Sequence, residues 1–186
     1  MEKGLEERLK EKFVSSEEVF QGKIIKVQVD TVELPDGKTA KREVVKHPGA
    51  VVILPLTQDG EVIMVRQYRH ATGEILLELP AGKRDGDEEP LACARRELEE
   101  ETGYTAEQWQ LICSFYTSPG FCDELLYLVL AKGLVKGEAC PDEEEFIDVV
   151  TIPLAEAARM VLNGEIRDGK TCLGILAGRM LNDHAE

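Results

Sequence analysis

The chain is short of the features that mark several large classes of protein. Lysine and arginine number 22 against 36 acidic residues, for a net charge of −14. Such a balance excludes general binding to nucleic acid or to an anionic membrane, both of which need a positive surface field. Any anionic substrate has to be met by local arginines or by metal. The five cysteines (Cys93, Cys113, Cys122, Cys140 and Cys172) include no CxxC pair and are odd in number. That argues for reduced thiols rather than a disulfide framework or a zinc site, and for a cytoplasmic setting. His47, His70 and His184 are the only histidines and have no partner at ligand spacing. The longest apolar runs, such as AVVILPL, are too short to span a bilayer. MEKGLEERLKEKF carries no apolar segment of a secretory signal. Internal repeats and low-complexity linkers are missing, and no serine or cysteine sits in a nucleophile-elbow context.

What is present reads as one α+β protein of 186 residues, long enough for a full core. Residues 1–16 are highly charged, with Leu5, Leu9 and Phe13 at helical spacing, and predict a frayed helix or an unstructured arm. KIIKVQVDTVEL and TAKREVVK flank Pro-Asp-Gly and predict a β-hairpin. AVVILPLT and EVIMVRQYR, joined by QDG, predict a second pair; EILLELP predicts a single strand. QLICSFYT with ELLYLVLAKG predicts a further antiparallel pair, FIDVVTI a last strand, and LAEAARMVLNGE and KTCLGILAGRMLND two closing helices. The division expected is 1–46, a charged arm and β-hairpin, followed by a main body over 47–186.

One strong helix lies within 89–102. Pro90 suits its first turn, where a missing N–H would be unpaired anyway, and Gly103 suits a left-handed stop. This helix crowds Glu97, Glu99, Glu100 and Glu101 together, although like charges one turn apart destabilise a helix. At about 100° per residue, Glu97, Glu100 and Glu101 share an arc of roughly 100°, beside an apolar edge of Leu91 and Leu98. Glu99 points to the far side. On geometry alone a solvated face paired to Arg95 and Arg96 is the favoured reading, with a site for a hard divalent cation the alternative.

The spacing around the helix is more specific. Gly82, Glu88, Arg96, Glu97, Leu98, Glu100, Glu101, Gly103 and Tyr104 follow the pattern Gly-x5-Glu-x7-Arg-Glu-U-x-Glu-Glu-x-Gly-U, with U a bulky aliphatic residue. The stretch resembles the signature of the Nudix hydrolases, departing only at Tyr104 and at Arg84-Asp85 in the first spacer. The resemblance implies a mixed β-sheet sandwiched between helices, with an antiparallel N-terminal segment. It also implies Mg²⁺, with Mn²⁺ as an alternative, held by Glu97, Glu100, Glu101 and the backbone carbonyl of Ala81. Glu88 and Arg96 would brace the loop.

From about residue 17 onward the chain looks like bacterial ADP-ribose and ADP-sugar pyrophosphatases, in REVVKHPGAV, VRQYR, SPGFCDE and PDEEEFIDVV. Pro119, sixteen residues past Gly103, resembles the ADP-ribose group. That likeness implies hydrolysis of ADP-ribose to AMP and ribose 5-phosphate by a homodimer whose partner molecules are small nucleotides. Glu43 falls where relatives contact adenine, and Arg69 where they contact the diphosphate or stack near the base. Arg42, Arg66, Gly120 and Glu124 are further substrate candidates. Glu143, then Glu145, matches the loop glutamate that activates water, alongside Glu100. A different or broader nucleoside diphosphate sugar substrate, or a module that senses ADP-ribose without cleaving it, are the alternatives. The intact glutamates and the acidic charge argue against the sensor.

Overall fold

The computed structural model describes residues 3–140 and 146–183. The described chain runs α1 (Lys3–Leu9), β1 (Lys12–Gln21), β2 (Lys26–Glu33), β3 (Thr39–Lys46), β4 (Ala50–Pro55), β5 (Glu61–Arg69), β6 (Glu74–Glu78) and β7 (Ala81–Lys83). It continues with α2 (Pro90–Thr102), β8 (Tyr104–Tyr116), β9 (Leu125–Lys136), β10 (Ile147–Pro153), α3 (Leu154–Leu162) and α4 (Gly169–Asp183). Two compact units result: Met1–Pro48 with Tyr116–Leu125, and Gly49–Phe115 with Leu126–Glu186.

The first unit holds a three-stranded antiparallel sheet in the order β1-β2-β3. Its β2–β3 hairpin turns as expected: Gly37 takes φ 82°, and the Asp36 carboxylate accepts the Lys38 N–H at 3.0 Å. The expectation for 1–16 divides: α1 is helical over Lys3–Leu9 as the spacing predicts, but from Lys12 the chain is strand β1, which pairs along β2 from Lys12–Glu33 to Gln21–Lys26. Every residue of β1 is exposed, so no buried face imposed an apolar alternation on its sequence.

In the second unit β4 is buried at all six positions and lies between β7, antiparallel, and β9, parallel, in the order β7-β4-β9-β8. Strand alternation sends Val51, Ile53, Val129 and Ala131 to one face, where Cys93, Ala94 and Leu98 of α2 cover them. Val52, Leu54, Leu128 and Leu130 take the opposite face and pack with Ala157 of α3 and Ile175 of α4. A mixed sheet between helices is the outcome, and both faces are dry. Truncating Leu98 to alanine would cost about 2–5 kcal/mol at such a site.

The expected pairing of β4 with β5 is also corrected. The chain does reverse at Thr57–Glu61, with Gly60 at φ 76°. Beyond one bridge, Leu56 to Val62, the strands part, and β5 joins a separate sheet in the order β10-β5-β6. Both strands carry continuous apolar runs, which encode burial on two faces but not the identity of a neighbour. Among the described residues no helix is long and apolar enough to cross a membrane.

Candidate active site

The site is built where the β6–β7 connection meets α2. Pro90 opens α2, and Gly103 closes it at φ 73° with its N–H on the Glu99 carbonyl. Cys93, Ala94 and Leu98 drive one side of the helix into the core, which fixes its rotation. Glu97 and Glu101 then lie against the β7 segment, Glu100 is half-buried and pairs with Arg96, and Glu99 is exposed.

Two of the three carboxylates lie against backbone. Glu101 is only 4% exposed, and its Oε2 accepts the Ala81 N–H at 3.1 Å. The Glu97 carboxylate occupies the space that a side chain at position 82 would take. A Cβ built on Gly82 would lie 1.9 Å from its Cδ. This close approach explains the glycine that opens the spaced pattern, since any larger residue pushes Glu97 away.

Arg96 ties the acidic groups together. Its Nη1 donates to Glu97 Oε1 at 2.8 Å and to Glu100 Oε2 at 2.9 Å. Nη2 donates to Glu88 Oε2 at 3.0 Å and to the Lys83 carbonyl at 3.3 Å. Glu88 is thereby held below the usual carboxylate range, chiefly by its hydrogen bonds from Arg96. Arg96 is raised in turn, first by Glu88. The expected brace of loop on helix is therefore a six-bonded guanidinium, counting the longer Nε–Glu88 contact at 3.3 Å and the Nη2 bond to Cys93 Sγ at 3.6 Å. Cys93, beneath the loop, is pushed up to about 12, first by burial and then by Glu88, so it stays a thiol.

Among the described residues no three His, Cys, Asp or Glu side chains stand grouped as a ready metal cage. The positive charge between Glu97 and Glu100 is the Arg96 guanidinium. The donor set nonetheless fits a hard divalent ion: carboxylate and backbone oxygens only, with two carboxylates packed on Ala81–Gly82 through a gap that a Cβ would fill.

The remaining candidates divide between the units. In the second, Arg66 forms a surface pair with Asp148 at 3.0 Å. Arg69 is held by Glu78, with Nε and Nη2 each 2.8 Å from its carboxylate. In the first unit Arg42 pairs with Glu11, and Glu43 is exposed on β3 opposite Val29. Gly120 is exposed in the turn closed by the Phe121 and Cys122 N–H groups on the Ser118 carbonyl. Glu124 accepts the Thr117 hydroxyl at 2.7 Å and lies 3.5 Å from His47 Nδ1. Glu143, Glu145 and His184 lie outside the described residues.

The two departures from the sequence pattern find ordinary packing. Tyr104 packs on the α2 side of the core. Arg84 lies 5.6 Å over the Tyr127 ring and donates from Nε to the Glu88 carbonyl. Sequence reasoning passed over Glu78, Asp168, Lys170 and Thr171, which form a network beneath the site. An acid flanked by leucines in the apolar strand EILLELP (Glu78), and an Asp three residues before a Thr at a helix start, were the available signals.

A Nudix-domain family model matches residues 45–171, and a model described as the nucleoside diphosphate sugar hydrolase N-terminal domain matches residues 11–45. The chain is 47% identical over 169 residues to an ADP-ribose pyrophosphatase of Bacillus subtilis (strain 168), covering 90% of this chain and 91% of that protein. It is also 47% identical over 167 residues to a methanol dehydrogenase activator of Bacillus methanolicus, covering 89% and 90%. The fold matches the crystal structure of an ADP compounds hydrolase, with a TM-score of 0.84 at 22% identity over 95% of this chain and 96% of that one. With the domain match running through the Gly82–Tyr104 stretch and relatives this similar along most of its length, the chain belongs to the Nudix hydrolase family.

Proposed function

We propose that this protein hydrolyses the diphosphate of ADP-ribose, adding water across the P–O–P bridge to give AMP and ribose 5-phosphate. The observation that carries this reading is the 47% identity to an ADP-ribose pyrophosphatase over 169 residues. Glu97, Glu100, Glu101 and the Ala81 carbonyl would hold Mg²⁺ or Mn²⁺. When bound, the ion neutralises phosphoryl oxygens and lowers the pKa of the attacking water.

The protein's own groups do the rest. Arg96 and Glu88 keep the acidic face of α2 against the β7 segment. Arg69 has its Nε and Nη2 on Glu78, which leaves its Nη1 donors for a phosphate oxygen and fixes the plane of the guanidinium. Glu43 is assigned to adenine, with Arg42, Arg66, Gly120 and Glu124 as further substrate contacts, on the strength of family likeness. Glu143 is the proposed base that takes the proton of the attacking water, with Glu145 the second candidate. The exposed apolar side chains of β1 (Phe13, Val14, Val19 and Phe20) support a homodimer formed through the N-terminal sheet. Free cysteines and the strongly acidic charge support a cytoplasmic location.

A second reading keeps the chemistry and changes the substrate. The nucleoside diphosphate sugar hydrolase match over 11–45 favours a broader range. The test is to incubate the purified protein and Mg²⁺ with ADP-ribose, other ADP- and GDP-sugars, NADH and nucleoside triphosphates. Products are then separated by chromatography. Preferential release of AMP and ribose 5-phosphate from ADP-ribose is expected. Preference for another compound overturns the substrate, and tight ADP-ribose binding without cleavage of anything overturns the hydrolase.

A further inference from the structure

Beneath the site, four charged groups and one hydroxyl connect α4 to the strand end that leads into Ala81. Glu78 is 1% exposed and is gripped from two sides, by Arg69 at 2.8 Å and by Lys170. Lys170 also reaches Asp168 Oδ2 at 2.9 Å. The same Asp168 oxygen caps the first turn of α4, accepting the Thr171 N–H at 3.0 Å and the Thr171 hydroxyl at 2.6 Å. Thr171 is fully buried, and its Oγ1 accepts the Leu79 N–H at 2.8 Å. One hydroxyl thus donates to the helix cap and receives the first backbone group after β6.

From Leu79 to Gly82 the chain is then fixed residue by residue. Leu79 is held by α4 through Thr171. Pro80 has no N–H, and its carbonyl accepts Ile53 N–H of β4 at 2.8 Å. Ala81 donates to Glu101, and Gly82 is covered by the Glu97 carboxylate. Only the last two of these contacts belong to the helix that carries the acidic face. Leu79 and Pro80 make no ladder bonds with β5, so between the end of β6 and the point where Ala81 joins β4 the chain is held through Thr171 and Ile53.

We infer that Thr171, with Asp168 and Lys170, is a positioning residue for cation binding: it sets the Ala81 backbone relative to Glu97 and Glu101. The inference rests on the reading of Ala81 and the α2 glutamates as cation ligands. Groups that orient ligands in this way commonly change metal affinity by about 10–100-fold when removed. The hydroxyl is essential because it is at once donor and acceptor; valine has the same shape but leaves Leu79 N–H and an Asp168 lone pair unmatched.

The test compares wild type with Thr171→Val, Thr171→Ser and Lys170→Gln. Mn²⁺ binding to the nucleotide-free protein is measured by electron paramagnetic resonance, thermal melts are recorded, and ADP-ribose kinetics are followed across a Mn²⁺ titration. Thr171→Val is expected to weaken Mn²⁺ by about ten-fold or more, with Thr171→Ser close to wild type. The Mn²⁺ concentration for half-maximal rate should rise in parallel, while KM for ADP-ribose at saturating Mn²⁺ changes little. A folded Thr171→Val with wild-type Mn²⁺ affinity, even if it melts lower, overturns the inference, as does Thr171→Ser behaving like valine. Should Thr171→Val fail to fold, Lys170→Gln carries the same expectation, and unchanged affinity there overturns it. Weakened Mn²⁺ binding in a protein that leaves ADP-ribose intact would sustain this inference and overturn the proposed substrate. No Mn²⁺ binding by wild type overturns both the inference and the metal reading.

Discussion

Replacing Gly82 with alanine separates what folds this protein from what makes its site. The added Cβ would meet the Glu97 carboxylate at 1.9, 2.1 and 2.2 Å, and no backbone atom is among its nearest neighbours. Restoring an ordinary contact of about 3.4 Å needs a retreat of about 1.5 Å, in the carboxylate or in the segment facing it. The atoms displaced are the far end of a flexible side chain, and Gly82 is not among the glycines with positive φ, so the backbone accepts alanine. Stability should therefore change by less than about 1 kcal/mol, or within about 3 °C in Tm. Catalysis has no such tolerance. Ligand oxygens are useful within about 0.2 Å of their proper distance, and a misplacement of 1 Å costs about 10²-fold. We expect kcat for ADP-ribose to fall at least about 10²-fold, with a higher Mg²⁺ requirement, in a protein that melts normally. Gly169→Ala, with nothing within 4 Å of the new Cβ and no positive φ, is the control. Wild-type turnover and Mg²⁺ dependence in Gly82→Ala would refute the role given to the Glu97–Gly82 contact. Global unfolding would refute the claim that only a side chain must yield.

Gly103→Ala should do the reverse. It combines φ 73° with a Cβ at 2.6 Å from the Ala139 backbone nitrogen, so about 2–4 kcal/mol and a Tm drop of about 5–15 °C are expected from thermal melts. Glu100→Gln should lose most turnover, about 10²-fold, while shifting stability by no more than about 1 kcal/mol, because its pair with Arg96 is only half-buried. Near-normal activity would remove Glu100 from the ligand set. Glu143→Gln should slow kcat with little change in KM; the opposite split in steady-state kinetics would make Glu143 a binding residue. Burial pushes the Glu78 carboxyl up, but Arg69 and Lys170 outweigh it and leave it below 4.5. The unfolded chain therefore takes up that proton first, so the stability Glu78 contributes is present above pH 4.5 and lost as pH falls through its lower folded value. Urea midpoints measured between pH 7 and 3 should show this fall, and Glu78→Gln should flatten it.

Which parts of this molecule could be read from its sequence depends on how far apart the interacting residues lie. The acidic face of α2 is a local matter: a helical period places Glu97, Glu100 and Glu101 together and turns Glu99 away, and Leu98 is buried as that period requires. Pro90 and Gly103 mark the helix ends for reasons internal to the backbone. The partners of β4 and β5 are not local. Each is an apolar run that wants covering on both faces, and only the whole set of strands decides which neighbour it gets. β1 escaped notice because all its side chains are exposed, so Phe13, Val14, Val19 and Phe20 fall in no alternating pattern. The bond from Leu79 N–H to Thr171 spans 92 residues, and the two segments share no period that could announce it.

The charge balance gives these contacts a common meaning. A protein of net charge −14 that acts on a diphosphate has to overcome its own repulsion of the substrate. Three cations that hold the α2 face and the Ala81 segment do not relieve it. Arg96 is spent on Glu88, Glu97 and Glu100, and Lys170 on Glu78 and Asp168. Arg69 shares its charge with Glu78. These pairs hold the α2 face and the Ala81 segment in register, but each leaves little net positive field for an anion. If the α2 face holds cations as proposed, neutralising the diphosphate falls chiefly to ions drawn from solution, and the acidity that repels the substrate would gather them. On the proposed reading the basic residues maintain the shape of the site, and the crowded glutamates, held close to one stretch of backbone, would give those ions a place to bind.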